Sequence, residues 1–140
     1  MRAHFAAMKA RLESDSTLTG KVFDTANVDS TGAVVRGTYV LLFGGGPDSL
    51  NDDRLAAPQS AGSDADYSYT ARCVANTPDL VRSVQSKVIA LFAGHRLEVA
   101  GRACTPADVE GYPVEWDTAL KPPLYFADID IELHSSRAVS

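Results

Sequence analysis

The sequence predicts an α+β fold: a mostly antiparallel sheet with two helices packed on one face, in the order α-β-β-β-α-β-β-β. Three observations carry that prediction. From Leu124 to Leu133, Tyr125, Ala127, Ile129, Ile131 and Leu133 alternate with Phe126, Asp128, Asp130 and Glu132, the period of a strand with one buried and one uncovered face. Two other stretches, near the N-terminus and in the middle of the chain, repeat their apolar residues at helical spacing instead. Polar turn clusters separate the remaining apolar segments, which therefore read as short strands.

Taken in order, Phe5, Met8 and Leu12 define an amphipathic helix from Arg2 to Glu13, and Ser14 to Gly20 is its exit. Lys21 to Asp24 is a brief extended piece. A second polar turn precedes a strand from Val34 to Phe43, in which Val40 and Leu42 face one way and Tyr39, Leu41 and Phe43 the other, as in a central strand. Gly44-Gly-Gly-Pro47 is expected to stop that strand and open a long loop at about 44–63. The chain returns as a strand from about Asp66 to Ala75, with Tyr67, Tyr69, Ala71 and Cys73 opposing Ser68, Thr70 and Arg72.

Thr77-Pro78-Asp79 is a helix opening: Thr caps, Pro sits where its missing N–H costs nothing, and Asp suits the positive end of the dipole. Leu80, Val81, Val84, Val88, Leu91 and Phe92 supply the apolar stripe, and Gly94 the left-handed stop. Arg96 to Ala100 and Arg102 to Thr105 read as two short strands joined at Gly101, Pro106 to Lys121 as irregular, and Ser135 to Ser140 as a frayed tail. At 140 residues the chain, residues 1–140, is expected to form a single domain with one core.

Composition narrows the function. A formal charge of −5 argues against tight non-specific nucleic-acid binding, which needs Lys and Arg on phosphates. No apolar run is long enough to span a bilayer, and the charged N-terminus lacks a secretory pattern, so no membrane partner and synthesis in a cytoplasm are expected. Cys73 and Cys104 lack paired zinc or redox spacing and read as buried, reduced thiols.

No motif in the sequence supplies a catalytic residue, a metal site or a cofactor site. The glycine run at 44–46 lacks the Lys-Ser/Thr of a phosphate loop, and no nucleophile elbow is present. His4, His95 and His134 form no ligand motif and read as surface or helix-end residues. Asp128, Asp130 and Glu132 share a strand face about 6–7 Å apart. Three readings stay open for them: a solvated face, a hard-cation site short of oxygens, or an assembly surface that meets a basic neighbour or lines a channel from which DNA must slip. Arg72 is a candidate cross-strand partner on that face. In the long loop, Asp48, Asp52, Asp53 and Arg54 form either a solvated surface or an arm that grips a partner. Trp116 is either a rim residue covering the core or an interface anchor.

The order of these features resembles the tail terminator, or tail completion, proteins of long-tailed bacteriophages, especially those of actinobacterial phages. The resemblance rests on Phe5-Ala-Ala-Met-Lys-Ala-Arg-Leu12, Val22-Phe23-Asp24, Tyr39-Val-Leu-Leu-Phe43, Asp53-Arg-Leu-Ala-Ala57 and Tyr69-Thr-Ala-Arg-Cys-Val-Ala75. It continues through Ala90-Leu-Phe-Ala-Gly94, Arg96-Leu-Glu-Val-Ala-Gly-Arg-Ala-Cys104 and Pro122-Pro-Leu-Tyr-Phe-Ala-Asp128. It implies a structural virion protein with no catalysis: a homo-oligomeric ring, a hexamer, on the last ring of tail-tube protein, facing a head-side connector or stopper protein. DNA would be only transient cargo in the lumen, and assembly would occur in the host cytoplasm. A head–tail adaptor or stopper of the neck is the neighbouring role, and a small-ligand or metal-binding α+β domain is the alternative of a different class.

Overall fold

A computed structural model describes residues 2–24, 26–28, 30–33, 35–50, 64–120 and 122–137. Its elements are α1 (Arg2–Glu13), β1 (Val22–Asp24), β2 (Tyr39–Leu50), β3 (Asp64–Ala75), α2 (Pro78–Phe92), β4 (Arg102–Cys104), β5 (Asp108–Gly111), β6 (Glu115–Asp117) and β7 (Leu124–Arg137). They form the expected α+β architecture. The seven strands make one sheet in the order β1-β2-β3-β7, and β4, β5 and β6 follow one another along the far edge of β7. Among the described residues, only β1 and β2 pair in parallel; every other strand pairing is antiparallel.

Alternation along β3 and β7 decides which side is buried. Tyr67, Tyr69, Ala71 and Cys73 of β3 and Ala127, Ile129, Ile131 and Leu133 of β7 are all buried, with Val40 and Leu42 of β2 beside them. The helices close this side: Met8 and Leu12 come from α1, and Val81, Val84, Val88 and Phe92 from α2. Burying each of the larger aliphatic or aromatic side chains contributes about 1.5–3 kcal/mol. A second, smaller cluster lies on the opposite face at one end, where Tyr39, Val74 and Leu124 are buried against Phe23, Leu41, Leu120 and Phe126. This is the two-faced apolar character expected of the Tyr39–Phe43 segment.

The cap of α2 is as the sequence predicts. Leu80 N–H donates to Thr77 Oγ1 at 3.3 Å, with Pro78 in the first turn. Leu80 itself stands apart from the buried stripe and is 46% exposed, because Val81, Val84 and Val88 set the centre of the apolar face.

Several segments differ from expectation, and the strand expected from Val34 begins at Tyr39. β2 does not stop at Gly44 but continues to Leu50, with register shifts between Gly44 and Pro47 and between Pro47 and Ser49. The glycine there serves a bulged strand: Gly44 has φ +90, and a Cβ on it would lie 2.8 Å from Ser68 O. Pro47 is tolerated because β1 pairs with β2 only over Val40–Leu42, so its missing N–H removes no rung of that pairing. Arg96 to Ala100 is not a strand; one bridge, Arg96 to Pro106, marks the segment, although Leu97 and Val99 are buried. The stretch read as irregular between Pro106 and Lys121 holds β5 and β6. Finally, β7 runs through Ser135 to Arg137, with Ser135 fully buried.

Candidate functional site

The helix-free face of the sheet gathers Asp128, Asp130 and Glu132, three of the acidic residues singled out in the sequence. In an antiparallel pair, residues directly opposite share a face. The register therefore sets up a ladder: Val74 opposite Phe126, Arg72 opposite Asp128, Thr70 opposite Asp130, Ser68 opposite Glu132 and Asp66 opposite His134. On the other side of β7, Glu110 of β5 lies opposite Asp130 and Asp108 opposite Glu132.

Arg72 answers Asp128 with a two-pronged contact, Nε to Oδ1 at 2.8 Å and Nη2 to Oδ2 at 3.1 Å. Its guanidinium carbon lies 4.5 Å from the centroid of Phe126 and 5.6 Å from that of Phe43, so two aromatic faces hold the cation in place. The hydrogen bonds to Asp128 raise the Arg72 pKa above its usual value. Asp130 accepts from Thr70 Oγ1 at 3.0 Å and from the Tyr112 hydroxyl at 3.0 Å. Tyr112 also reaches Glu110 Oε2 at 3.3 Å. Bonded to Asp130 and surrounded by these carboxylates, its phenol is pushed up to about 12. Farther along, His134 Nδ1 sits 2.8 Å from Asp66 Oδ1.

The sequence thus locates Asp128, Asp130 and Glu132 on one face, and Arg72 relieves Asp128 as expected. It misses Asp108, Glu110 and Tyr112, although Asp108-Val-Glu110 is itself a short polar–apolar–polar alternation. These residues turn a row of acids into a two-strand acidic field. Asp108 with Glu132 and Glu110 with Asp130 are like-charged pairs placed directly opposite each other, an arrangement that opposes folding.

Trp116 lies on edge strand β6 instead of in an irregular stretch. It is 61% exposed and meets Tyr125 edge-on at 6.3 Å. Because Trp116 pairs with Tyr125, which packs against the main core, it belongs to the helix-covered side and not to the acidic face. Asp48 falls on the bulged part of β2, while Asp52, Asp53 and Arg54 lie outside the described residues. His4, read as a surface or helix-end residue, sits in the first turn of α1 and is buried, at 3% exposure.

Phe43, Thr70, Tyr112, Pro113, Glu115, Asp128 and Asp130 bound a shallow depression of about 480 Å³ on the acidic face. Among the described residues, no group of three or more His, Cys, Asp or Glu side chains is placed to hold a metal ion. No described helix is long and apolar enough to cross a membrane. Charge is divided between the two sides: the helices carry Lys9, Arg11, Arg82 and Lys87 against Glu13 and Asp79, while the opposite face is dominated by carboxylates.

No protein-family model matches the sequence, and no curated protein matches it. Solved structures do share its fold. A chain from the virion of a native gene transfer agent particle superposes with a TM-score of 0.65 at 14% identity, over 94% of this chain and 92% of that one. A second solved chain superposes with a TM-score of 0.64 at 13% identity, over 99% and 97% of the two lengths. The likeness is one of fold: this chain shares the fold of a chain from a gene transfer agent virion.

Proposed function

We propose that this protein is a structural component of a phage-like virion, a tail terminator that forms a ring on the head-proximal end of the tail tube. The observation that carries this reading is the acidic field on the open sheet face. Asp108, Glu110, Asp130 and Glu132 are gathered in like-charged pairs that oppose folding, an arrangement that suits a surface whose task is to stay anionic. Turned toward a lumen, such a wall repels the phosphate backbone and lets DNA pass without adhering, where a basic wall would hold it.

The shared fold with a gene transfer agent virion chain supports a place in a virion. In this reading the partners are further copies of the chain, in a hexameric ring, then tail-tube protein on one side and a head-side connector on the other. The ring ends tube polymerisation and acts by shape and self-association, without catalysis. A head–tail adaptor or stopper would use the same anionic wall, and it differs in which partner it binds first.

Mass photometry of the purified chain, alone and with tail-tube subunits, tests the proposal. Closed rings that appear with the tube protein and stop its elongation are the expected result. A monomer that leaves tube length unchanged contradicts it.

A further inference from the structure

His4 is a buried titratable group that the proposed ring does not use. It sits in the first turn of α1, and its contacts reach the other end of the chain. Its Nε2 lies 2.8 Å from Ser135 Oγ on β7, and its ring stacks on Tyr67 of β3 at 4.1 Å with 14° between planes. Ser135 is in turn gripped by Arg102 of β4, whose Nε donates to Ser135 Oγ at 2.9 Å and whose Nη2 donates to Ser135 O at 2.9 Å.

This geometry favours a neutral imidazole. Arg102 already donates to the Ser135 hydroxyl, which leaves the hydroxyl proton free to point at a lone pair on Nε2. An imidazolium would donate from both ring nitrogens. The added proton would sit on Nε2 and bring two cationic donors onto one hydroxyl, while Nδ1, which already carries the proton of the neutral ring, is buried with no hydrogen-bond partner among the described residues. Among the described residues, the surroundings offer no compensation. β3 presents Tyr67, β7 presents Ser135, and β4 presents Arg102; Asp66 and His134 alternate onto the opposite face. Burial, the amino-terminal ammonium and Arg102 lower the His4 pKa from 6.5 to about 4.

We infer that His4 is an acid-released latch: its neutral ring clamps the first turn of α1 to β7 and β3, and protonation frees that turn from the sheet. A group whose folded-state pKa is depressed holds its full contribution above the unfolded value and loses it as pH falls through the folded value. From 6.5 down to about 4, each pH unit favours the released state by about tenfold, roughly a hundredfold in all.

The test follows the His4 ring by carbon-13 NMR and α1 amide protection by hydrogen exchange across the same pH range, in the full chain. The expected result is a His4 midpoint near 4, with α1 protection falling together with it while α2 stays protected. His4→Phe, which keeps a ring on Tyr67 but cannot titrate, should hold α1 protected across that range. His4→Gln serves the same comparison if the Phe variant fails to fold. A His4 midpoint above 6 with α1 still protected below it would overturn the latch, as would identical α1 pH profiles in the wild type and the non-titrating variant.

Discussion

Arg72 and Asp128 face each other across β3 and β7 and close two hydrogen bonds, of 2.8 and 3.1 Å, on the side of the sheet that no helix covers. The pair marks a boundary. On one side of it the second apolar cluster gathers around Val74 and Phe126; on the other the surface becomes a field of carboxylates.

Replacing Arg72 should therefore cost more than an ordinary surface ion pair. Its side chain is 37% exposed and that of Asp128 25% exposed, so solvent screens the attraction, yet the two-pronged geometry and the aromatic contacts add to it. Arg72→Ala is expected to lose about 1–2 kcal/mol in urea unfolding. Arg72→Lys should recover only part of that, because an ammonium cannot reproduce the fork or the stacking. Equal stability of the Lys variant and the wild type would show that charge alone matters here.

Removing a charge from the like-charged pairs should have the opposite sign. Glu132→Gln or Asp108→Asn is expected to raise the urea midpoint at low ionic strength, because it relieves repulsion across β5 and β7. The gain should shrink at high salt, where the screening length falls to about 3 Å. A loss of stability would mean that the acidic field contributes to folding instead of opposing it.

Ile129, one position from Asp130, is fully buried. Ile129→Ala should cost about 2–5 kcal/mol, the range for opening a cavity in a packed core, measured by chemical denaturation. Residues on opposite faces of β7, Ile129 when trimmed and Glu132 when neutralised, would thus respond in opposite directions, as a two-faced strand requires.

Gly44→Ala tests the bulged extension of β2. The substitution forces an L side chain onto φ +90 with its Cβ 2.8 Å from Ser68 O, and should cost about 1–3 kcal/mol in thermal unfolding. A silent substitution would contradict the continuation of β2 beyond Phe43.

Tyr112 supplies a pH prediction for the acidic face. Its phenol is raised to about 12 by the bond to Asp130 and the nearby carboxylates. A raised folded-state pKa means a contribution complete below the ordinary tyrosine value of 10.0 and lost as pH climbs toward 12. Site-resolved carbon-13 NMR should find Tyr112 still protonated above pH 10.0, and Asp130→Asn should lower its midpoint.

Strict alternation made β7 and β3 legible, since one face had to be buried along their length. The same holds for α2, where cap, proline and stripe agree. What escaped has physical causes. β5 and β6 are three or four residues long, too short for a period to declare itself, and they exist because β7 offers an edge, a long-range pairing with no local signature. The extension of β2 passes through Gly44-Gly-Gly-Pro47, residues that ordinarily end a strand and here serve bulges. His4 lies on the face of Met8 and Leu12, four residues before Met8, but a polar residue does not count toward an apolar stripe, and its partners Ser135 and Tyr67 are more than sixty residues away in the chain. As a result, the acids of β7 could be read from the sequence, whereas the field they form with β5 could not.

The central claim is that the acidic sheet face lines the lumen of a closed ring. Cryo-EM of the chain assembled on tail-tube protein tests it most directly. The account predicts a ring in which Asp108, Asp130 and Glu132 point toward the axis and α1 and α2 lie outside; a ring with its helices toward the axis and those carboxylates on the outer surface would contradict it.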